Sequence, residues 1–224
     1  MQKADFKPFV YSYTNLHTFE DTCQYQFYRL YVKKDIPYVA SEAMDYGKRV
    51  HTAMELRIGG GKPLPEDMRH WEPIASAFAD RNPKVEIKLG ITREGKTTGF
   101  FDKDVAGRGT LDVVIVKDSA ALLFDHKTGN SKYETPFELE LHAMLLKAAH
   151  PSLTRVMGAF IWLKENRIGT TYDLSDFNST WARVNNLVEE IEDRMVSNEW
   201  DKKKGPLCSY CRVFDCVNNT NASR

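Results

Sequence analysis

The sequence lacks any apolar stretch long enough to span a membrane, and no internal repeat or low-complexity tract occurs in its 224 residues. The first residues, MQKADFKPFVYSY, do not contain the long apolar core of a signal peptide. A composition of 42% hydrophobic and 28% charged residues is typical of a globular protein. These features predict a cytoplasmic protein with no membrane partner, and the length suffices for one large domain or two small ones.

The chain also lacks an excess of charge of either sign. Lys and Arg together number 31, Asp and Glu together number 31, and the formal net charge is therefore zero. Global charge gives no support to a nucleic-acid partner. Any binding of phosphate groups requires a local basic patch or a bound metal ion.

Cysteine is scarce, and its distribution is uneven. Cys208, Cys211 and Cys216 fall within the segment CSYCRVFDC, whereas Cys23 lies near the other end of the chain. In a reducing compartment such a group is more typical of a metal site than of disulfides. Four thiolates can hold a [4Fe–4S] cluster or a tetrahedral zinc ion. A buried set without a metal is a third interpretation, since Cys23 also fits the apolar stripe of its predicted helix.

Hydrophobic periodicity predicts a sheet with flanking helices. Helices are predicted over residues 12–33, 45–58, 66–82, 135–150 and 178–198. Strands are predicted over residues 84–92, 109–117, 120–128, 154–164 and 168–175. This order of helices, a strand meander, a helix, two strands and a helix is typical of an α/β or α+β protein with a mixed sheet.

The predicted strand AALLFDHKT ends with an acid and a lysine on one face. Side chains alternate along a strand, so Asp125 and Lys127 point to the same side. An ion pair at an edge strand, followed by a turn at Thr-Gly-Asn, explains this pattern without any function. The preceding apolar strand, however, carries Asp112, which is costly to bury without a cation or hydrogen bonds. A hairpin between these strands brings the three residues together and predicts a Mg²⁺ or Mn²⁺ site.

A histidine on the second predicted helix is a further candidate. His51 and Glu55 are four residues apart and share a helix face. A lone helical histidine is more often structural than a ligand. Gly47, four residues earlier, is costly inside a helix and indicates close approach of another chain segment.

Five short motifs in order resemble the PD-(D/E)xK nuclease superfamily. The similarity is greatest to its RecB-type branch, which includes the nuclease domains of bacterial recombination helicases and the CRISPR-associated adaptation exonucleases. Several phage recombination nucleases are similar too. The motifs are YSYTNLHTFEDTCQYQFYRLYV, the Gly47, His51, Glu55 series, GTLD, DHKTG and CSYCRVFDC. In the first of them, Gln24 replaces the usual proline. The resemblance covers nearly the whole chain and implies a single nuclease domain over residues 1–224.

The resemblance implies a restriction-endonuclease-like core, in which helices flank a mixed central sheet. A cysteine-bound C-terminal tail over residues 200–224 would pack on the N-terminal helix over residues 12–33, and the two would form a metal-cluster subregion. The implied centre is a [4Fe–4S] cluster at Cys23, Cys208, Cys211 and Cys216. Zinc is the alternative, because the spacing between the last two cysteines is one residue shorter than in the cluster-bearing relatives.

The resemblance also implies roles for individual residues. The implied catalytic residues are Asp112, Asp125 and Lys127. The implied ligands of Mg²⁺ or Mn²⁺ are His51, Asp112, Asp125 and the main-chain carbonyl of His126. The candidate substrate-positioning residues are Glu55, Glu86, Glu138 and His142.

One segment departs from the family pattern. The family usually has Gln-x-x-x-Tyr on the helix after the lysine, whereas ELELHA places Glu138 and His142 at these positions. A carboxylate accepts hydrogen bonds but cannot donate them, as an amide can. Near a phosphate, Glu138 would repel unless it were protonated or paired with the metal or Lys127. Alternatively, both residues lie on a solvated helix face.

Together these observations predict a metal-dependent DNA nuclease, more specifically an exonuclease acting on DNA ends or single strands in recombination, repair or CRISPR-type processing. A first alternative is a DNA-binding subunit of a recombination or CRISPR-type complex whose cleavage is weak or lost. A second is a non-nucleolytic module with a structural or redox iron–sulfur cluster. No oligomeric state is predicted.

Overall fold

The computed structural model describes residues 9–221, and the chain divides into two compact units. One unit combines the two ends of the chain, up to Val39 and from Ala182 onward, and the other is Ala40–Trp181. The predicted domain over residues 1–224 and the predicted tail to residue 224 include residues 1–8 and 222–224, which lie outside the described residues. Within residues 9–221, no helix combines the length and apolar character needed to cross a membrane.

A mixed sheet forms the centre of the Ala40–Trp181 unit. Its seven strands are β1 (Lys84–Ile91), β2 (Thr97–Thr98), β3 (Gly107–Lys117), β4 (Ala120–Lys127), β5 (Arg155–Trp162), β6 (Arg167–Ile168) and β7 (Tyr172–Asp173). The strand order is β2-β1-β3-β4-β5-β6, and β7 pairs with β5. Strands β4 and β5 are parallel, whereas the other pairs are antiparallel. The predicted mixed sheet is therefore confirmed; the short strand β2 was not predicted.

The helices are α1 (Tyr13–His17), α2 (Gln24–Phe27), α3 (Glu42–Gly60), α4 (Glu72–Ala79), α5 (Phe137–Ala149) and α6 (Phe177–Ser197). Helices α3 and α4 pack on one face of the sheet, in a core that includes Met54, Phe78 and Val113. Helix α5 connects the parallel strands β4 and β5 and packs in a second core, which includes Leu139 and Leu111. This α/β arrangement of helices around a mixed sheet is the predicted fold class.

Two predicted helices have different boundaries in the structure. Helix α3 begins earlier than predicted, because Ser41 caps it by accepting a hydrogen bond from the main-chain amide of Met44. Its last residue is Gly60. The next residue, Gly61, caps the helix with a φ of 66°, a left-handed conformation that glycine adopts readily. The helix predicted over residues 66–82 is divided into a 3₁₀ segment, Glu66–Trp71, and helix α4. Pro73 lies in the first turn of α4, where proline is tolerated.

The helix predicted over residues 12–33 is divided in two at Cys23. This residue is extended, with φ −169° and ψ 123°, and it lies between a π-helical turn and α2. Its amide donates to the carbonyl oxygen of Thr18 at 2.8 Å, and its own carbonyl accepts from the amide of Phe27 at 3.0 Å. The break removes Cys23 from the apolar stripe and leaves it half-buried. The interpretation of Cys23 as a buried core residue is therefore wrong.

The C-terminal tail packs on the N-terminal helical segments, as predicted. The amide of Tyr25 donates to the carbonyl oxygen of Asp201 at 3.0 Å. The Lys203 ammonium donates to the carbonyl oxygen of Asp21 at 2.8 Å. The tail continues through a 3₁₀ segment, Pro206–Tyr210. These contacts join the two ends of the chain within their unit.

A buried arginine adds a further link between these segments. The guanidinium of Arg29 lies 2.7 Å from Asp35, and it donates to both carboxylate oxygens of Asp215 at 2.8 Å. Arg29 is only 8% exposed. We expect Arg29→Met to lower the urea midpoint of unfolding and to make the tail more sensitive to trypsin, because it leaves Asp215 without its cation and Asp35 with Lys33 alone. Arg183→Met, which removes a more exposed pair with Glu20, is the matched control and should change both quantities less.

The contribution of Arg29 should depend on pH in one direction. Its hydrogen bond lowers the pKa of Asp35 to about 2, with help from Lys33, and Arg29 also lowers the pKa of Asp215. A carboxylate with a lowered folded-state pKa stabilises the protein above its ordinary pKa of about 4, and this contribution is lost as the pH falls towards about 2. The difference in stability between wild type and Arg29→Met should therefore narrow below about pH 4.

Candidate active site

The candidate site lies where strands β3 and β4 separate. Their paired register ends at Val113 and Phe124, so the hairpin predicted from the sequence is present. Beyond this pair, the main-chain amide of His126 donates to Oδ2 of Asp112 at 2.8 Å. A side-chain carboxylate thus accepts the hydrogen bond from a buried main-chain amide, which would otherwise lack a partner. The separation opens a space between the two strands in which polar side chains can meet.

Three potential metal ligands from three elements meet at this opening: His51 on α3, Glu86 on β1 and Asp112 on β3. Nδ1 of His51 lies 3.2 Å from Oδ2 of Asp112 and 3.9 Å from Oε1 of Glu86. Within residues 9–221, this is the one group of three or more such ligands whose donor atoms all lie within 4.8 Å of one another. An octahedral Mg²⁺ with ligands at about 2.1 Å holds its donors roughly 3.0 to 4.2 Å apart. The spacing and the donor types therefore fit Mg²⁺ or Mn²⁺.

Burial and crowding shift the pKa of each ligand. Burial disfavours the charged form of His51, but the hydrogen bond and charge of Asp112, with the charges of Asp125 and Glu86, raise its pKa to about 9. Burial and the charge of Asp112 raise the pKa of Glu86 to about 7. Burial opposes ionisation of Asp112 too, yet hydrogen bonds from His126 and His51 hold its pKa well below the usual range. The site concentrates negative charge, and a divalent cation would relieve that repulsion.

Glu86 reaches this group through a rare backbone conformation. Its φ is 49°, in the left-handed region that residues other than glycine seldom occupy. Along β1, Val85 packs in the core below α3, whereas Ile87 and Leu89 pack in the core below α5. In a regular strand these three residues would share one face, so the alternation reverses at Glu86. A strained conformation of this kind costs about 1–3 kcal/mol, and such conformations are enriched at functional sites.

A second group lies on the face of the sheet that α5 covers. Nζ of Lys127 is 2.7 Å from Oδ2 of Asp125 and 2.6 Å from Oε2 of Glu138. The contact with Asp125 is an ion pair without hydrogen-bond geometry. Burial disfavours the charged lysine, but the two carboxylates hold its pKa well above the ordinary value. Burial and the charge of Asp125 raise the pKa of Glu138 to about 7.

The predicted site residues thus fall into two adjoining groups. Asp112 lies with His51 and Glu86, whereas Asp125 and Lys127 lie with Glu138. The charge of Asp125 raises the pKa of both His51 and Glu86, so the two groups are close enough to interact. In the first group two carboxylates lie beside His51, and in the second group two carboxylates lie beside Lys127.

Glu138 is half-buried and His142 is buried, and the interpretation that they lie on a solvated helix face is wrong. The side chain of Glu138 is 16% exposed, and His142 is 5% exposed. A Cβ atom at Gly109 would lie 2.9 Å from Cδ2 of His142, so glycine at this position of β3 makes room for the ring. Burial lowers the pKa of His142. Glu55 is half-buried on α3, and its charge adds to the raised pKa of Glu86.

The side chain of His126 is a contact that sequence reasoning missed. The ring is 2% exposed, and its Nδ1 lies 3.4 Å from Oδ2 of Asp112. It also packs edge-on against the ring of His51, with centroids 6.0 Å apart. Its Nε2 is buried without a hydrogen-bond partner in the described part of the chain. The resemblance implied a role only for the carbonyl of His126, and that role stays a prediction.

The four cysteines line one cavity in the unit formed by the chain ends. This cavity has a volume of about 210 Å³ and also contacts Tyr25. The main-chain amide of Gly205 donates to Sγ of Cys208 at 3.3 Å. Burial and the charges of the other three cysteines raise the pKa of Cys211. The sulfur atoms do not form a ligand group as compact as that of His51, Glu86 and Asp112.

Residues 10–216 match the family model of the PD-(D/E)XK nuclease superfamily, and the chain belongs to this superfamily. The matched range contains both groups of candidate active-site residues and all four cysteines. The recognition of this superfamily from five short motifs is therefore confirmed.

Two solved structures have a similar fold. The crystal structure of SSO0001 matches with a TM-score of 0.52 and 16% identity, over 94% of this chain and 86% of that one. A candidate exonuclease from Eubacterium rectale matches with a TM-score of 0.56 and 11% identity, over 96% of this chain and 91% of that one. At these identities the likeness establishes the fold alone.

One curated relative is named as a lipoprotein and not as a nuclease. An "Efem/EfeO family lipoprotein" from Staphylococcus haemolyticus (strain JCSC1435) is 27% identical over 153 residues, which are 66% of this chain and 51% of that protein. The chain thus spans about half the length of this relative.

Proposed function

We propose that this nuclease-superfamily chain is a metal-dependent DNA exonuclease acting on DNA ends or single strands. The observation that carries the proposal is the convergence of His51, Glu86 and Asp112 at spacings that suit an octahedral divalent cation. These residues, with Asp125 from the neighbouring group, would hold Mg²⁺ or Mn²⁺. When bound, the ion would polarise a phosphoryl oxygen and lower the pKa of a water molecule.

Lys127 would stabilise the charge that develops on the phosphoryl group. Its ammonium is held by carboxylates on two sides, Asp125 on its own strand and Glu138 on α5. A positioned, permanently charged donor in a buried site contributes more than it would in water, because it needs no reorganisation during the reaction. Glu138 would therefore act by orienting Lys127, which resolves the repulsion expected between this glutamate and a phosphate. His126 would orient Asp112 through its amide and its ring.

A panel of DNA substrates tests this proposal. The purified chain should degrade linear single-stranded DNA in Mn²⁺ or Mg²⁺ and not in EDTA. Degradation of a linear duplex from its ends is compatible with the proposal but is not required by it. Circular single-stranded DNA should resist, because it has no end. If circular DNA were cleaved as fast as linear DNA, the chain would be an endonuclease, and the proposed exonuclease activity would be contradicted. Binding of DNA without cleavage in any metal would favour the alternative of a DNA-binding subunit in a recombination or CRISPR-type complex.

We expect His51→Ala to raise the Mn²⁺ concentration for half-maximal cleavage by at least about 10-fold. The variant removes the one nitrogen donor of the group, and even the loss of supporting residues around a metal typically lowers affinity 10- to 100-fold. The measurement is a Mn²⁺ titration of the cleavage rate. His70→Ala, at an exposed histidine of the same unit, is the control and should leave the titration unchanged. If the Mn²⁺ titration curves of His51→Ala and the wild type were superimposable, His51 would not be a metal ligand and its role would be structural.

We further propose that Cys23, Cys208, Cys211 and Cys216 bind one metal centre. Three observations support this: the four residues line one cavity, their charges interact at Cys211, and a main-chain amide donates to Cys208. A four-thiolate zinc site holds its sulfurs roughly 3.8 Å apart, since each Zn–S bond is about 2.3 Å. The metal of this centre would be a [4Fe–4S] cluster, as the resemblance to cluster-bearing relatives implies, with zinc as the alternative.

We expect Cys23→Ser to release this metal, to lower the melting temperature and to expose the tail to proteolysis. The centre would crosslink the two ends of the chain, and such a crosslink restricts the unfolded ensemble. Anaerobically purified wild type should be brown, with absorbance near roughly 400 nm, if the centre is iron–sulfur. Colourless protein with one zinc per chain would support the shared four-cysteine site and contradict the iron–sulfur cluster. Unchanged metal content in Cys23→Ser would reject the four-cysteine centre.

A further inference from the structure

One face of the sheet beside the candidate active site presents basic side chains. Gly109 on β3 faces α5, because a Cβ atom there would meet His142 and Leu145. Its neighbour Arg108 therefore points to the opposite face. On β1, Leu89 packs in the core below α5, so the adjacent Lys88 also points away from α5.

This face is continuous with the group formed by His51, Glu86 and Asp112, since His51 comes from α3 on the same side. Lys88 is two residues from Glu86 along β1, or about 7 Å, and Arg108 is four residues from Asp112 along β3, or about 14 Å. Strand β1 pairs Gly90 with Arg108, which sets the register of the two basic residues. The two cations thus lie at increasing distances from the candidate metal site.

A turn between β2 and β3 closes the far end of this face. A Cβ atom at Gly90 would lie 2.8 Å from the carbonyl oxygen of Gly99, so the lack of a side chain at Gly90 lets the turn cross the strand. Asp102 fixes the turn by accepting hydrogen bonds from the amide of Gly99 at 2.7 Å and from the hydroxyl of Thr98 at 2.9 Å. Asp104 accepts from the same hydroxyl at 2.9 Å. The turn is therefore held in place, and its acidic residues are engaged within it.

The turn exposes an aromatic side chain. Phe101 is 79% exposed, although its backbone is fixed by these hydrogen bonds. The guanidinium of Arg108 lies 5.0 Å from the ring centroid of Phe100 and 5.8 Å from that of Phe101. Within residues 9–221, neither Lys88 nor Arg108 has a carboxylate partner. An exposed phenylalanine on an ordered turn, beside two uncompensated cations, is a surface that a ligand with phosphates and flat rings would complement.

We propose that this face, defined by Lys88, Arg108 and Phe101, binds the unpaired strand of the substrate next to the cleavage site. The inference rests on the proposed nuclease function and names how its substrate is held. Lys88 contacts the phosphate nearer the metal group, Arg108 a phosphate further along, and Phe101 stacks on a base. The occupant is single-stranded because stacking on an exposed ring requires a free base face, which a duplex offers only at its ends and an unpaired strand offers along its length.

Fluorescence anisotropy with a labelled oligothymidylate in EDTA tests the face without cleavage. Phe101→Ala should weaken binding about 5- to 150-fold, the effect of losing one stacked base, and should leave the salt dependence unchanged. Lys88→Ala and Arg108→Ala should each weaken binding and reduce the slope of log K against log salt by about 0.7. Phe101→Trp should retain binding. The controls are Ile168→Ala, at another exposed apolar residue, and Lys117→Ala, at the other end of β3.

The results separate this inference from the function on which it rests. Unchanged affinity in all three variants would overturn the proposed face, whether or not the wild type cleaves DNA in Mn²⁺. Weakened binding in these variants would support the face even if the wild type proved unable to cleave. A blunt duplex of the same length, bound as tightly as the oligothymidylate and equally affected by Phe101→Ala, would overturn the assignment of an unpaired strand.

Discussion

Asp112→Asn is expected to lower metal-dependent cleavage at least about 10³-fold. Asp112 would contribute a ligand atom at the centre of the proposed metal group, next to His51 and Glu86. Loss of roughly 4 kcal/mol of transition-state stabilisation, within the range that a bound cation supplies, corresponds to about a 10³-fold change in rate. The measurement is single-turnover cleavage of a labelled oligonucleotide in saturating Mn²⁺.

Asparagine is chosen because it keeps the shape of the side chain and one oxygen that can accept from the amide of His126. The fold should therefore survive, as circular dichroism can verify. Asp118→Asn is the matched control, since Asp118 occupies the turn at the other end of the same hairpin and asparagine tolerates its positive φ of 54°. Cleavage by Asp112→Asn at the rate of the control would remove Asp112 from the site.

The second large effect is expected at Lys127. Lys127→Met should lower cleavage about 10²- to 10³-fold, as for the loss of one preorganised donor. It should also destabilise the protein by about 3 kcal/mol, because it leaves the buried Asp125 and the half-buried Glu138 without their shared cation. Adding Glu138→Gln to this variant removes one of the two unpaired charges. The double variant should recover part of the lost stability and none of the lost activity.

Urea unfolding in EDTA and cleavage in Mn²⁺, measured on the wild type, the two single variants and the double variant, form a complete cycle. Glu138→Gln alone should reduce cleavage modestly, since Asp125 still holds Lys127. An equal midpoint for Lys127→Met and the double variant would show that Glu138 does not share the lysine. Wild-type cleavage by Lys127→Met would contradict its proposed role in the reaction.

Much of the fold could be predicted because its elements have strong and regular patterns. The apolar runs of β3, β4 and β5 and the periodicity of α5 and α6 mark buried elements, and the short Asp-Ser turn between β3 and β4 fixes an antiparallel hairpin. That hairpin was sufficient to predict the proximity of Asp112 to Asp125. The family motifs then identified the superfamily and implied the roles of individual residues.

Other features depend on tertiary contacts that no local pattern encodes. Glu86 enters the ligand group through a left-handed conformation in the middle of a strand, which strand periodicity does not predict. Cys23 leaves the apolar stripe because the helix breaks at that residue. The sharing of Lys127 by Asp125 and Glu138 depends on the position of α5 over the sheet, and this position follows from packing between residues far apart in sequence.

The central claim is that the group containing His51, Glu86 and Asp112 binds the divalent cation on which DNA cleavage depends. The most direct test is a Mn²⁺ titration of wild type and Asp112→Asn in which electron paramagnetic resonance measures bound ion and cleavage is measured on the same samples. The account predicts that cleavage by the wild type rises with Mn²⁺ occupancy, and that Asp112→Asn loses binding at this site together with cleavage. Cleavage in EDTA, or equal Mn²⁺ binding and cleavage by both proteins, would contradict it.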